Sequence, residues 1–258
     1  MVDWGVVVLG LIEGVTEFLP ISSTGHLLIA EHWLGNRSDT FNIVIQAGAM
    51  LAVTIVYWRR LVSLADWRRT ENRLYCAKLL VTFVTTCVVG LIVKKLGVEL
   101  PSTVAPVAWA MVIGGFWIIA AEWRASRLQE RSDVTWLVAV VVGLAQIVAG
   151  IFPGTSRSGA TIFAAMLVGT SDRRAATEFA FLVGIPTMYA ASAYEIYKNF
   201  GELGVDESWT ALGLGFVVSA VTAFCTIRWL LGYIQTHRYT VFAIYRIVAG
   251  VALLVLPI

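Results

Sequence analysis

The chain has 258 residues, of which 58% are hydrophobic and only 14% are charged, and its formal net charge is +2. Soluble domains carry about 25% charged residues, so the composition excludes an ordinary soluble protein and indicates a polytopic membrane protein. The small net charge gives no reason to expect a nucleic-acid partner. The spacing of the three cysteines excludes a disulfide framework or a cysteine metal site. We expect them to be small buried apolar side chains.

Two apolar stretches are each interrupted in the middle. The first covers residues 4–34 and breaks at Pro20, and the second covers about 134–170 and breaks at Pro153. A membrane helix needs about 20 apolar residues, and the pieces on either side of each break fall short of that length. Each stretch therefore predicts a re-entrant helix–loop–helix hairpin. Irregular backbone at membrane depth is tolerated only where it is buried in protein or lines a wet cavity.

Six uninterrupted apolar segments predict full membrane spans, three after each hairpin. They lie at about 41–58, 76–93, 104–121, 176–197, 209–231 and 241–257. The sequence thus predicts one all-α membrane domain with six transmembrane helices and two re-entrant hairpins. The pattern repeats over halves of about 1–125 and 130–258. Because each half crosses three times, the halves have opposite orientations, as in the inverted repeats of transporters.

Basic residues predict the orientation of the chain in the membrane. Of the 19 Lys and Arg residues, thirteen lie on the side of the 59–78 loop and four lie on the opposite side. The positive-inside rule makes the first side cytoplasmic. Both termini and the loops at 94–103 and 198–208 are then expected to face outward.

The most unusual stretch is residues 13–26 (EGVTEFLPISSTGH), which places two carboxylates, three successive hydroxyls and an imidazole within an apolar hairpin. Polar groups away from water are costly unless they are paired or used. Glu13 and Glu17 are four residues apart and share a helical face. Three interpretations stay open for them: ligands of a divalent cation, a general acid–base pair, or carboxylates that face solvent.

The hydroxyl residues Ser22, Ser23 and Thr24 follow Pro20 at the expected start of the return helix. One of them can cap the helix, but three exceed that need. A helix N-terminus presents free N–H groups and a partial positive charge, which suit an anionic oxygen. A hydroxyl there is a nucleophile if a base lies near. His26 is a candidate for that base or for the leaving-group acid, unless it is only a hydrogen-bonded core residue.

Arg157 lies in the second break, in the run PGTSRSG of residues 153–159. An arginine at membrane depth is costly, and its planar fork suits bidentate phosphate binding. The competing interpretation is an ion pair with Glu13, Glu17 or Glu178 that only holds the halves together. Glycines in this run permit close backbone approach, and serines add donors. The two breaks together predict an anion site for phosphoryl chemistry on a membrane-embedded substrate.

With these motifs the sequence resembles the undecaprenyl-diphosphate phosphatase family, also called the bacitracin-resistance proteins. The likeness covers nearly the whole chain. It is close over residues 13–26 and 153–162 (PGTSRSGATI), with lesser matches at 41–46, 178–182 and 242–246. The resemblance implies hydrolysis of undecaprenyl diphosphate to undecaprenyl phosphate and inorganic phosphate. It places that reaction at the outer face of the bacterial inner membrane, where it recycles the lipid carrier of peptidoglycan synthesis and confers bacitracin resistance.

The resemblance also implies roles for individual residues and a cofactor. The residues that match the family's essential ones are Glu17, Ser23, His26 and Arg157. Glu13 and Glu17 are the expected ligands of a divalent cation, Mg²⁺ or Ca²⁺. The expected substrate-binding residues are Ser22, Thr24, Gly25, Gly154, Thr155, Ser156, Ser158 and Gly159. We expect Glu178 and Arg246, near span ends, to be structural.

We therefore hypothesise that Arg157 and the hairpin N–H groups hold the terminal phosphate while Ser23 attacks, with His26 as the proton relay. Glu17 binds the cation or positions water. Ser23, His26 and a Glu-activated water stay open as nucleophiles. The rival is a polyprenyl-phosphate transporter or flippase, because broken helices, inverted repeats and a buried Arg are transporter features. A transporter needs no nucleophile, however. The sequence sets neither the lipid length, nor the preferred cation, nor the oligomeric state.

Overall fold

The computed structural model describes residues 3–97, 103–198 and 207–255, and within them every regular element is a helix. The helices are α1 (Trp4–Thr16), α2 (Ser23–Leu34), α3 (Asp39–Val56), α4 (Trp58–Leu64), α5 (Thr70–Lys95), α6 (Val104–Ala125), α7 (Trp136–Ile151), α8 (Arg157–Val168), α9 (Arg173–Lys198), α10 (Trp209–Thr236) and α11 (Thr240–Val255). Five of them, α3, α5, α6, α9 and α10, are long and apolar enough to cross a membrane. The chain is therefore a multi-pass helical membrane protein.

Five of the six predicted spans are confirmed as helices of membrane-spanning length. The sixth, predicted at 241–257, corresponds to α11, which is apolar but has only 16 residues. Its last predicted positions lie beyond Val255 and outside the described residues. Parts of the two loops expected to face outward, 98–102 and 199–206, also lie outside them.

The two interrupted stretches are pairs of short helices, as predicted. In the first, α1 has 13 residues and α2 has 12; in the second, α7 has 16 and α8 has 12. At about 1.5 Å per residue, each of these helices is shorter than the hydrocarbon core of about 30 Å. We name the intervening segments the first loop (residues 17–22) and the second loop (residues 152–156).

One helix was not predicted. The segment expected to be a basic loop begins with the short helix α4, which directly continues from α3 through Tyr57. Trp58 and Val62 are exposed on it, whereas Leu64 is buried. A helix with an apolar face, Trp and two arginines is typical of the membrane interface. Seven residues are too few for its periodicity to stand out in the sequence.

The prediction that the cysteines are buried was wrong. Cys76 and Cys87 are half-buried, and Cys225 is exposed. The physical reason is that the outer surface of a membrane helix faces hydrocarbon, so an apolar side chain gains little by turning inward. Apolar character in such a chain does not indicate burial.

The spans bring the two loops together. Helix α10 packs between α1 and α3, α5 packs on α7, and α8 contacts both α6 and α9. The α1–α10 contact is close because Gly14 has no side chain: a Cβ there would lie 2.6 Å from the carbonyl oxygen of Ser219. The residues around the loops form the main apolar core, which includes Phe18, Leu19 and Phe163. The loops are thus buried in protein.

Candidate active site

The two loops end in the same unusual backbone conformation. Ser22 has φ 76° and Ser156 has φ 69°, and they are the only non-glycine residues with positive φ in the described ranges. Each serine caps the helix that follows it. The N–H of Gly25 donates to Ser22 Oγ at 3.3 Å, and the N–H of Gly159 donates to Ser156 Oγ at 3.2 Å. These two hydroxyls, predicted to bind substrate, therefore serve as helix caps.

Three of the four residues predicted to be catalytic meet at one carboxylate. Ser23, the first residue of α2, donates its hydroxyl to Glu17 Oε2 at 2.6 Å. Arg157, the first residue of α8, donates from Nη2 to Glu17 Oε1 at 2.8 Å. Glu17 itself is 7% exposed and ends α1. The caps explain this convergence. Ser22 and Ser156 fix the first turns of α2 and α8, so both helices begin next to the end of α1.

This arrangement can both activate a hydroxyl and hold an anion. A hydroxyl that donates to a carboxylate is a nucleophile beside its base. The side chain of Arg157 is 28% exposed, and Nη2 carries its one side-chain bond among the described residues. Its other N–H groups are free for a ligand. The first-turn N–H groups of α2 and α8 add positive potential at the same place.

Ser158 joins the second loop to the first. Its hydroxyl lies 3.1 Å from the carbonyl oxygen of Glu17 and 3.3 Å from that of Leu19. It also lies 3.1 Å from the hydroxyl of Ser156. The contacts give Ser158 a role in fixing the loops, in addition to the predicted contact with substrate.

His26 does not bond to Ser23 in this structure. Its Nδ1 lies 2.6 Å from the carbonyl oxygen of Ser22, and its Nε2 lies 2.6 Å from the hydroxyl of Tyr245. The ring stacks on that of Tyr245, with 5.6 Å between centroids. The hydroxyl of Ser23 therefore has Glu17 as its acceptor, and not His26, which was one candidate for its base.

Glu13 is the second carboxylate of the site. The N–H of Glu17 donates to the carbonyl oxygen of Glu13 at 2.9 Å, so the helical turn continues and both carboxylates share a face as predicted. Glu13 is 1% exposed. Its Oε1 has no hydrogen-bond partner among the described residues. A buried oxygen in that state fits a cation ligand.

The donor set also limits which cation site is feasible. Within residues 3–97, 103–198 and 207–255, no three His, Cys, Asp or Glu residues converge on one point. Among the described residues, Glu13 and Glu17 are therefore the candidate carboxylate ligands. Mg²⁺ is commonly held by one or two carboxylates together with substrate phosphates and water, so this donor set fits it.

Four predicted residues remain: two threonines, and two glycines that permit close backbone approach. Thr24 is exposed and Thr155 is 7% exposed. Gly154 has φ 96°, and a Cβ there would lie 2.5 Å from the carbonyl oxygen of Val107. Only glycine fits that position. A Cβ on Gly25 would lie 3.2 Å from the sulfur of Met111, so this glycine lets α2 approach α6.

Arg246 holds both loops, which confirms the expectation that it is structural, although its partners were not predicted. It is 1% exposed and donates to the carbonyl oxygen of Pro20 at 3.1 Å in the first loop. In the second loop it donates to Gly154 at 2.9 Å and Thr155 at 2.8 Å. Two further bonds reach carbonyls of α6, at Ala110 and Met111. The available signal was a single charge inside an apolar helix.

Sequence reasoning missed Gln146. It lines one cavity with Glu17 and Arg157 and is 5% exposed. Its Nε2 donates to Thr86 Oγ1 at 2.9 Å, and its Oε1 accepts from Thr187 at 3.0 Å. A carboxamide has two N–H donors, so one stays free. The signal was positional: Gln146 precedes Pro153 by the same seven residues that separate Glu13 from Pro20.

Comparisons with known proteins identify a family that the whole chain resembles. The profile of the family described as "Bacitracin resistance protein BacA" matches residues 6–252. A protein of Rhizobium johnstonii named "Undecaprenyl-diphosphatase" is 67% identical over 249 residues, covering 96% of this chain and 94% of that protein. Proteins of the same name from Xanthomonas euvesicatoria pv. vesicatoria and Xylella fastidiosa are 58% and 57% identical. Each alignment covers 95% of this chain, with 94% of the first protein and 95% of the second.

Proposed function

This chain belongs to the bacitracin resistance protein family, and we propose that it hydrolyses undecaprenyl diphosphate to undecaprenyl phosphate and inorganic phosphate. That reaction recycles the lipid carrier of peptidoglycan synthesis and gives resistance to bacitracin. The names of relatives that are 57–67% identical support the substrate. The observation that carries the chemistry is the meeting of Ser23, Arg157 and Glu17 at one buried point.

The proposed first step is attack of Ser23 Oγ on the terminal phosphorus. The serine proton passes to Glu17 Oε2, which already accepts its hydrogen bond. The bond between that phosphorus and the bridging oxygen breaks, and undecaprenyl phosphate leaves with the oxygen. Undecaprenyl phosphate takes the proton from Glu17 as it leaves. Water then cleaves the phosphoserine, and Glu17 accepts a proton from that water and returns it to Ser23 Oγ. The two steps together release one inorganic phosphate and regenerate the enzyme.

Arg157 and the two helix N-termini stabilise charge on the transferring group. A guanidinium and backbone N–H groups fixed in a water-poor site lower the energy of a phosphoryl transition state more than they would in water. Arg157 is paired with Glu17. A phosphate would share or replace that carboxylate as the partner of the guanidinium, and Glu17 would then be free to act as a base.

A divalent cation, Mg²⁺ or Ca²⁺, is the proposed cofactor, with Glu13 and Glu17 as its protein ligands. When bound, the cation would neutralise negative charge on the phosphate. The unpartnered Oε1 of Glu13 supports this placement. The test is a cation titration of phosphate release. Glu13→Gln should raise the half-maximal cation concentration, and an unchanged midpoint would remove Glu13 from the metal site.

The finer architecture is part of the proposal. We place α11 as a sixth span and the two helix pairs as re-entrant hairpins, in halves of about 1–125 and 130–258. The contacts support an inverted repeat, because α1 packs on α10 as α7 packs on α5, and α3 packs on α10 as α9 packs on α5. The basic bias at helix ends supports an active site that faces the outer side of the bacterial inner membrane.

The experiment is phosphate release by detergent-purified protein from undecaprenyl diphosphate, with and without a chelator. Wild type should release phosphate, and Ser23→Ala should not. Ser126→Ala is the matched control, because the Ser126 hydroxyl only donates to the carbonyl oxygen of Trp123, and it should retain activity. Lipid transport in proteoliposomes without phosphate release would favour the transporter instead.

A further inference from the structure

The pair formed by His26 and Tyr245 is not used by the attack on phosphorus described above. The two residues are 219 positions apart, and His26 Nε2 lies 2.6 Å from the tyrosine hydroxyl. Their rings are nearly parallel, at 9°. Tyr245 lies on α11, next to Arg246, which binds both loops. The pair therefore joins the first turn of α2 to the helix that holds the site together.

The contacts of His26 fix which nitrogen carries its proton. A carbonyl oxygen only accepts hydrogen bonds, so Nδ1, at 2.6 Å from the carbonyl of Ser22, carries a hydrogen. In the neutral ring Nε2 is then an acceptor, and the Tyr245 hydroxyl must be its donor. In the protonated ring the same contact reverses, with Nε2–H donating to the phenol oxygen. One geometry thus serves both protonation states.

We propose that Tyr245 is a positioning residue for the reaction and acts through His26. Its hydroxyl and ring hold the imidazole in the Nδ1–H form, one turn after Ser23. This inference rests on the proposed function, since it assigns Tyr245 to the same phosphatase site. Tyr245 is 44% exposed.

Tyr245→Phe removes only the hydroxyl and leaves the ring stacking in place. The loss of one hydrogen bond to a working side chain should lower kcat by about five- to tenfold, with KM within about twofold. The matched control is Tyr194→Phe. Tyr194 is 50% exposed, and its hydroxyl accepts from Lys94 at 2.8 Å. This control should keep wild-type kcat. A wild-type kcat in Tyr245→Phe would overturn the proposal.

A double-mutant cycle separates positioning from a merely structural role. In a His26→Asn background Tyr245→Phe should cause no further loss of kcat, because its target is gone. An equal fold loss in both backgrounds would show that Tyr245 acts independently of His26 and would contradict the proposal.

The ring nitrogens give a readout that does not depend on turnover. In ¹⁵N-histidine-labelled protein the signals of His26 are identified by their disappearance in His26→Asn. Wild type should show the Nδ1–H tautomer, and Tyr245→Phe should shift the Nε2 signal while Tyr194→Phe does not. Unchanged Nε2 in Tyr245→Phe would overturn the pairing. If wild type released no phosphate but showed this shift, the proposed function would fail and the pairing would stand.

Discussion

The first loop and the second loop share a backbone conformation but are followed by side chains of different chemistry. Each ends in a serine with positive φ that caps the next helix. The residue after the cap is Ser23 in one case and Arg157 in the other, and both reach Glu17. A repeated conformation thus places two different side chains at equivalent points, the proposed nucleophile and the proposed phosphate ligand.

The comparison extends to the helices before the loops. Three residues before each proline, the first stretch has Glu17 and the second has Gly150; seven residues before, they have Glu13 and Gln146. Both carboxylates therefore come from the first stretch, and the guanidinium of Arg157 comes from the second. Neither stretch alone forms the site, and Arg246 holds the two together through carbonyls of both loops.

The largest expected effect comes from removing the Glu17 carboxylate, which bonds to the first residues of α2 and α8. Glu17→Gln loses the base for Ser23 and the charge paired with Arg157, so kcat should fall about 10³-fold. Phosphate release by purified protein measures it. The control is Glu178→Gln, because Glu178 pairs with Arg60 at 2.8 Å instead, and it should stay within about twofold of wild type. A loss of less than about tenfold in Glu17→Gln would contradict the assigned base.

The next effect tests Arg157, the residue that follows the second loop. Arg157→Lys keeps the charge but loses the planar fork, so phosphate release should fall about 10²-fold. Arg60→Lys is the control for a surface-side arginine in an ion pair and should have little effect. Activity near wild type in well-folded Arg157→Lys would mean that the arginine only joins the two loops.

The connection between the loops is tested through Arg246. A lysine offers three donors in place of the guanidinium's five, so Arg246→Lys should leave carbonyls of the loops unpaired. The free energy of unfolding should fall by about 2 kcal/mol. Thermal unfolding in detergent measures it. Arg124→Lys is the control, because Arg124 donates to a single carbonyl, that of Leu167. Equal losses in both variants would remove the special role of Arg246.

The smallest effect concerns the counterpart of Glu13 in the second stretch. Gln146→Glu keeps the shape but replaces a donor with a negative charge beside the cavity of Glu17 and Arg157. A phosphate in that cavity would be repelled, so KM should rise about tenfold with a smaller change in kcat. Gln235→Glu, at an exposed position, is the control. An unchanged KM would place the substrate phosphate away from Gln146.

Much of this organisation could be predicted from the sequence. The breaks at Pro20 and Pro153 and the polar runs around them predicted both pairs of short helices and most of the residues that meet at Glu17. Such features are local, because they depend on chain breakers and on the cost of polar groups in an apolar stretch.

The sequence did not predict which base faces Ser23. Glu17 and His26 both lie within a few residues of it, and the choice depends on the positive φ of Ser22 and on Tyr245, which is 219 residues from His26. The hydrogen-bond partners of Arg246 could not be predicted for a related reason. Its partners are backbone carbonyls. Every residue type has one, so the sequence does not indicate which of them accept a hydrogen bond.

The stereochemical course of hydrolysis tests the attack by Ser23 most directly. The terminal group of the substrate is made as a chiral thiophosphoryl group bearing ¹⁸O and is hydrolysed in H₂¹⁷O. Attack by Ser23 followed by attack of water gives two in-line displacements, so the released thiophosphate should retain its configuration. Inversion would show a single displacement by water and would contradict the role of Ser23 as the nucleophile.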